Sequence, residues 1–175
     1  MKSFISILLF IGTGFLHAQK LGTDLDSTIN TLIASGMKKF VDIKGDSTSA
    51  MSDSYFKQYN SKVTIKGFKC SLITYYPSGK IWFFTGLFDQ TYNLKKALRS
   101  YQLLANRIEK AKITCCTLKR EPGTDLEHEK KTYYKPFARP KEYSSLQLIV
   151  SLENVRQTNG QLKYNVIFYI YPNPK

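Results

Sequence analysis

The sequence predicts an α+β domain: an antiparallel sheet of about five strands with two helices packed on one face, in the order α-β-β-β-α-β-β. Three observations carry this expectation. Apolar residues recur at helical three-and-four spacing in two separate stretches, 24–41 and 91–112. Elsewhere they alternate at strand spacing, ending in a hairpin around Asn159-Gly160. The segment Ile81–Phe88 (IWFFTGLF) is apolar on both parities, as expected of a central strand covered on both faces.

The chain opens with Lys2, an apolar run from Phe4 to Leu16, and then His17-Ala18-Gln19. A positive start, an apolar stretch and a small residue before a cut describe a secretory signal peptide. The run is well short of the ~20 apolar residues that span a bilayer. Residues 1–18 are therefore read as a signal cut after Ala18, and 19–175 as one globular domain, periplasmic or extracellular. No other stretch is apolar enough to be a transmembrane segment.

The first helix, 24–41, starts among Asp24, Asp26, Ser27 and Thr28, which suit a helix N-terminus. Leu25, Ile29, Leu32, Ile33, Met37, Phe40 and Val41 make its apolar face, and Gly36 allows a neighbour to approach closely. Residues 42–54 are a Ser-, Asp- and Gly-rich connector. Strand signal then runs from Tyr55 to Phe88. Val63 and Ile65 share one parity while Phe68, Cys70 and Leu72 share the other, so a bend is expected at Gly67. Tyr76-Pro77-Ser78-Gly79 reads as a turn, with Gly79 available for a positive φ. Asp89 is placed to cap the second helix. That helix, 91–112, has Leu94, Ala97, Leu98, Tyr101, Leu104, Ala105, Ile108 and Ala111 as its stripe, with Lys95, Lys96 and Arg99 on a basic wet face. Residues 119–142 read as a long basic loop, with a short edge strand around Thr132 as an option. In the final hairpin Leu146, Leu148, Val150 and Leu152 alternate on one face, answered by Leu162, Tyr164, Val166, Phe168 and Ile170. Ile149, Ile167, Tyr169 and Tyr171 make the second face partly apolar.

This order of elements is similar to that of secretion-chaperone-like proteins, with NTF2-like folds as a second option. The resemblance implies a fold and conveys no function.

The formal net charge is +13, from 26 Lys and Arg against 13 Asp and Glu. Such a balance favours an acidic protein, a polysaccharide or an anionic lipid surface, and export makes nucleic acid the least natural partner. The basic and aromatic residues Lys130, Lys131, Tyr133, Tyr134, Lys135, Phe137 and Arg139 interleave, joining cationic attraction to rigid contact area. Together with Lys95, Lys96, Arg99, Tyr169 and Tyr171 they are the candidate binding residues.

Catalytic motifs fail on context. Asp24-Leu25-Asp26-Ser27-Thr28 matches the D-x-D-x-T string of haloacid-dehalogenase-like phosphotransferases, but no strand precedes it to present the first Asp. His128, beyond the signal, lies in the charged run Glu127-His128-Glu129 and reads as a solvated loop residue. No G-x-S-x-G elbow, glycine-rich phosphate loop or zinc-ligand spacing occurs, so no catalytic residue, metal or cofactor is expected. Cys70, Cys115 and Cys116 are disulfide candidates; adjacent cysteines rarely bridge, so Cys70 with Cys115 or Cys116 is the pairing to test. The expectation is a non-enzymatic binding module for a macromolecule. A chaperone-like or immunity-like protector of one partner protein is the first alternative, and a small hydrolase without a recognisable motif is the second.

Overall fold

A computed structural model of the chain describes residues 25–48, 56–137, 143 and 145–172. The elements run α1 (Leu25–Met37), β1 (Lys44–Ser47), β2 (Lys57–Ser61), β3 (Cys70–Tyr76), β4 (Ile81–Thr91), α2 (Leu94–Glu109), β5 (Thr117–Glu121), β6 (Lys130–Phe137), β7 (Leu146–Arg156) and β8 (Leu162–Pro172). The α+β class and the placement of both helices on one face hold. The strand count does not: eight strands form one open antiparallel sheet in the order β1-β2-β3-β4-β8-β7-β6-β5. Among the described residues, a helix and four strands are thus followed by a helix and four strands. The strand order is symmetric about the central β4–β8 pair, which replaces the α-β-β-β-α-β-β layout and its resemblance.

Two strands missing from the sequence reading, β1 (KGDS) and β5 (TLKRE), are the sheet's edges, where backbone pairing makes the strand and side chains stay wet. β2 (KQYNS) falls inside the stretch read as strand, and β6, expected at most as a short edge strand around Thr132, is an eight-residue interior strand between β5 and β7. β5 and β6 together occupy much of the stretch read as a loop at 119–142. Val63 and Ile65 belong instead to the β2–β3 connection, which bends at Gly67 with φ 93°.

Leu25, Ile29, Leu32 and Ile33 of α1 and Ala97, Tyr101, Leu104, Ala105 and Ile108 of α2 enter one core with Ile73, Phe84, Leu148, Val150, Val166, Phe168 and Ile170. α1 stops at Met37 because Lys39 and Phe40 turn left-handed, at φ 56° and 57°, a conformation costly for residues with a Cβ. Phe40 is fully buried, and its N–H donates to Ser35 O at 2.8 Å. A Cβ on Gly36 would sit 3.2 Å from Leu146, which confirms the close approach expected there. The cap of α2 is Asn93, whose Oδ1 accepts from Lys96 N–H at 3.0 Å. Asp89 is not the cap; it accepts from Ser100 Oγ at 2.6 Å and pairs with Lys69. In the β3–β4 turn the positive φ falls on Lys80 rather than Gly79. A bulge between Leu87 and Asp89 where β4 meets β8 brings Phe88 into the core beside Phe68. The Asn159-Gly160 hairpin forms as expected, with Gly160 at φ 80°.

Candidate interface on the helix-free sheet face

Because side chains alternate across a strand, the register decides which residues share the face away from the helices. Two lateral rows follow from it. One runs Asn60, Leu72, Thr85, Tyr169, Ile149, Tyr133 and Glu121, from β2 to β5. The next runs Cys70, Leu87, Ile167, Ser151 and Lys131. Leu72, Leu87, Ile149 and Ile167 are buried yet stand outside the cluster that joins helices to sheet. Phe83, Tyr133, Tyr169 and Tyr171 are half-buried around them. In the middle of the first row Thr85 Oγ1 is buried, with no hydrogen-bond partner among the described residues.

The β6–β7–β8 half of this face holds a polar cluster. Glu153 Oε1 accepts from Ser151 Oγ at 2.9 Å and from Tyr169 Oη at 3.1 Å. The Tyr169 side chain therefore reaches from one row past the next to meet the carboxylate. Burial, then the charge of Glu153, holds the Tyr169 hydroxyl well above its ordinary range. Tyr171 is raised mainly by burial, with Tyr133 and Glu153 adding to it and Lys131 opposing. Burial alone would lower Lys131, but its bond to Glu129 at 2.9 Å and the nearby Glu153 and Tyr133 outweigh it and raise the ammonium. At neutral pH the site therefore holds protonated tyrosines and a charged lysine around a carboxylate. Lys135 pairs with Glu121 at 3.2 Å and lies opposite Lys119 at the β5 border of the face.

The candidate binding residues divide between surfaces. Lys131, Tyr133, Lys135, Tyr169 and Tyr171 converge on the helix-free face. Tyr134 does not: it is fully buried on the helix side, donating its hydroxyl to Ala105 O at 2.9 Å. Lys130 takes the same parity as Tyr134 and pairs with Asp125. Phe137 is exposed at the end of β6, and Arg139 lies outside the described residues. Lys95, Lys96 and Arg99 belong to α2, on the far side of the sheet, and none is paired with an acid among the described residues. Sequence reasoning missed Ser151 and Glu153. Their parity with Ile149 and Ile167 was readable, but their meeting with Tyr169 depends on register. It also missed a helix-side aromatic group, in which Trp82 stacks on Tyr75 at 4.5 Å and Lys44 lies 4.6 Å over the Tyr59 ring.

Cys70 lies on the helix-free face of β3, while Cys115 and Cys116 pack against the helix-side cluster just before β5. The two locations are on opposite faces and five strands apart in the sheet order, so the expected pairing with Cys70 does not form and all three thiols are free. His128 is half-buried, its Nδ1 3.3 Å from Tyr164 Oη. Among the described residues no three metal-capable side chains cluster, and no helix is long and apolar enough to cross a membrane. The signal segment and Asp24 lie outside the described residues, while the rest of the D-x-D-x-T string, Leu25 to Thr28, forms the start of α1. No protein-family model, curated protein or solved structure matches this chain.

Proposed function

We propose that this is an exported, non-enzymatic binding module that holds an acidic protein partner on the helix-free face of its sheet. One observation carries the reading: Leu72, Leu87, Ile149, Ile167, Tyr133 and Tyr169 make an apolar and aromatic band from β3 to β6 on a face that neither helix covers. Aromatic and aliphatic contact of this kind is what the centre of a protein interface uses. The +13 net charge supplies long-range attraction toward an acidic surface. A dedicated protector or chaperone of one exported protein is a specific form of this reading.

A second reading rests on a different observation. The exposed side of α2, with Lys95, Lys96 and Arg99 unpaired among the described residues, suits a peripheral binder of anionic lipid or polysaccharide.

The test is retention of partner from envelope and culture supernatant by residues 19–175, at low and high salt. Three proteins are compared: the unaltered chain, Phe83→Glu, and the combined Lys95→Glu, Lys96→Glu, Arg99→Glu variant. Under the leading reading one acidic protein is held stoichiometrically at high salt, Phe83→Glu weakens it at least about tenfold, and the α2 variant retains it. Reversing Lys131 and Lys135 slows association without abolishing the complex. Loss on the α2 variant alone, with binding that vanishes as salt rises, moves the interface to the helix and refutes the sheet-face reading.

A further inference from the structure

Cys115 and Cys116 lie between α2 and β5, both half-buried against the helix-side cluster, with their Sγ atoms 3.3 Å apart. The segment carrying them is held on both sides. Upstream, Asn30 of α1 accepts from Thr114 N–H at 2.8 Å and from Thr114 Oγ1 at 2.9 Å, and donates through Nδ2 to Lys112 O at 3.1 Å. Downstream, Thr117 begins β5 opposite Phe137. The two sulfurs therefore meet in a fixed piece of backbone rather than in a free loop.

We propose that Cys115 and Cys116 are a reversible redox pair, a vicinal dithiol that closes to a disulfide through the intervening peptide and opens again. Closure needs the sulfurs to move from 3.3 Å to about 2.05 Å, a shift that side-chain rotation can largely supply. The backbone sets the other limit. Adjacent Cα atoms are about 3.8 Å apart across a trans peptide, while ordinary disulfides span roughly 4.4–6.8 Å. The closed form is therefore strained, and strained disulfides are the readily reduced ones. That geometry makes a switch rather than a staple.

The oxidant is a small or protein disulfide. One cysteine thiolate attacks it, forming a mixed disulfide and releasing one thiol. The second cysteine thiolate then attacks the cysteine sulfur of that bond and releases the other thiol. In balance, two Cys S–H bonds and one S–S bond are replaced by the Cys115–Cys116 bond and two new S–H bonds. Burial, reinforced by the adjacent thiol, pushes Cys116 up to about 12.

The test uses the folded chain with Cys70→Ser, so that only the pair can react, in oxidised glutathione followed by dithiothreitol. Intact-mass analysis should show loss of two hydrogens, no bound glutathione and no titratable thiol, all reversed natively by dithiothreitol. In the same background Cys116→Ser and Cys115→Ser, each left with one thiol and no resolving partner, should hold one glutathione as a stable adduct. Two thiols still titratable, a lasting glutathione adduct on the pair, a disulfide-linked dimer, or a bond that resists dithiothreitol would each overturn the proposal. The inference is independent of where the partner binds.

Discussion

One of the buried hydrogen bonds that join helix α2 to β6 is a pair of hydroxyls, and the pair can be taken apart in two ways that predict opposite results. Tyr101 Oη lies 2.6 Å from Thr132 Oγ1, and both residues are buried. Tyr101→Phe removes one hydroxyl and strands the other without water, at a cost of about 1–3 kcal/mol. Thr132→Val keeps the shape of its side chain and strands the tyrosine hydroxyl, at a similar cost. In the double variant neither hydroxyl remains, and two apolar groups of nearly unchanged shape face each other. Its stability should return to within about 1 kcal/mol of the unaltered chain. The assay is urea denaturation followed by circular dichroism, fitted with a common slope because the buried surface hardly changes. In a chain of this size each kcal/mol shifts the melting temperature by about 2–4 °C, so thermal scans give a second reading. A double variant destabilised by the sum of the two single changes would refute the reasoning, since the hydroxyls would then act separately.

The remaining predictions concern pH, packing and the interface. Burial raises the folded-state pKa of Tyr134 and Tyr169 above the unfolded value, so both favour folding fully below pH ~10 and lose that contribution above it. Stability should therefore fall as pH rises past ~10, and the Tyr169→Phe chain should show a shallower alkaline decline in denaturant titrations. Cys70 and Cys116 are raised as well and start an earlier loss near pH ~9, so these titrations are run on thiol-free protein. A Cβ at Gly86 would lie 2.8 Å from the Phe68 ring, so Gly86→Ala should destabilise by about 1–3 kcal/mol, with Phe68→Leu restoring much of it in the same urea assay. Thr85→Val removes the unpaired buried hydroxyl and should leave the protein as stable or more stable; a stability loss above about 1 kcal/mol would mean that the hydroxyl is already satisfied.

The sequence by itself determined the two helices, their core-facing residues other than Val41, which lies past the end of α1 and is exposed, the closing hairpin and the central position of β4. Each of these buries a continuous stripe or row, and burial is what side-chain periodicity records. It also determined the strong positive charge and the crowding of lysine and tyrosine near residue 130. Only the tertiary structure decided that the described sheet has eight strands, because β1 and β5 owe their existence to backbone hydrogen bonds with a neighbour, and those leave no apolar alternation. Register decided the rest. It set Tyr133 on the helix-free face and Tyr134 in the core, brought Glu153 to Tyr169, and put Lys95, Lys96 and Arg99 on the opposite side from Lys131 and Lys135. Alternation along a strand says which residues go together, but only pairing with its neighbours says to which side of the sheet they go.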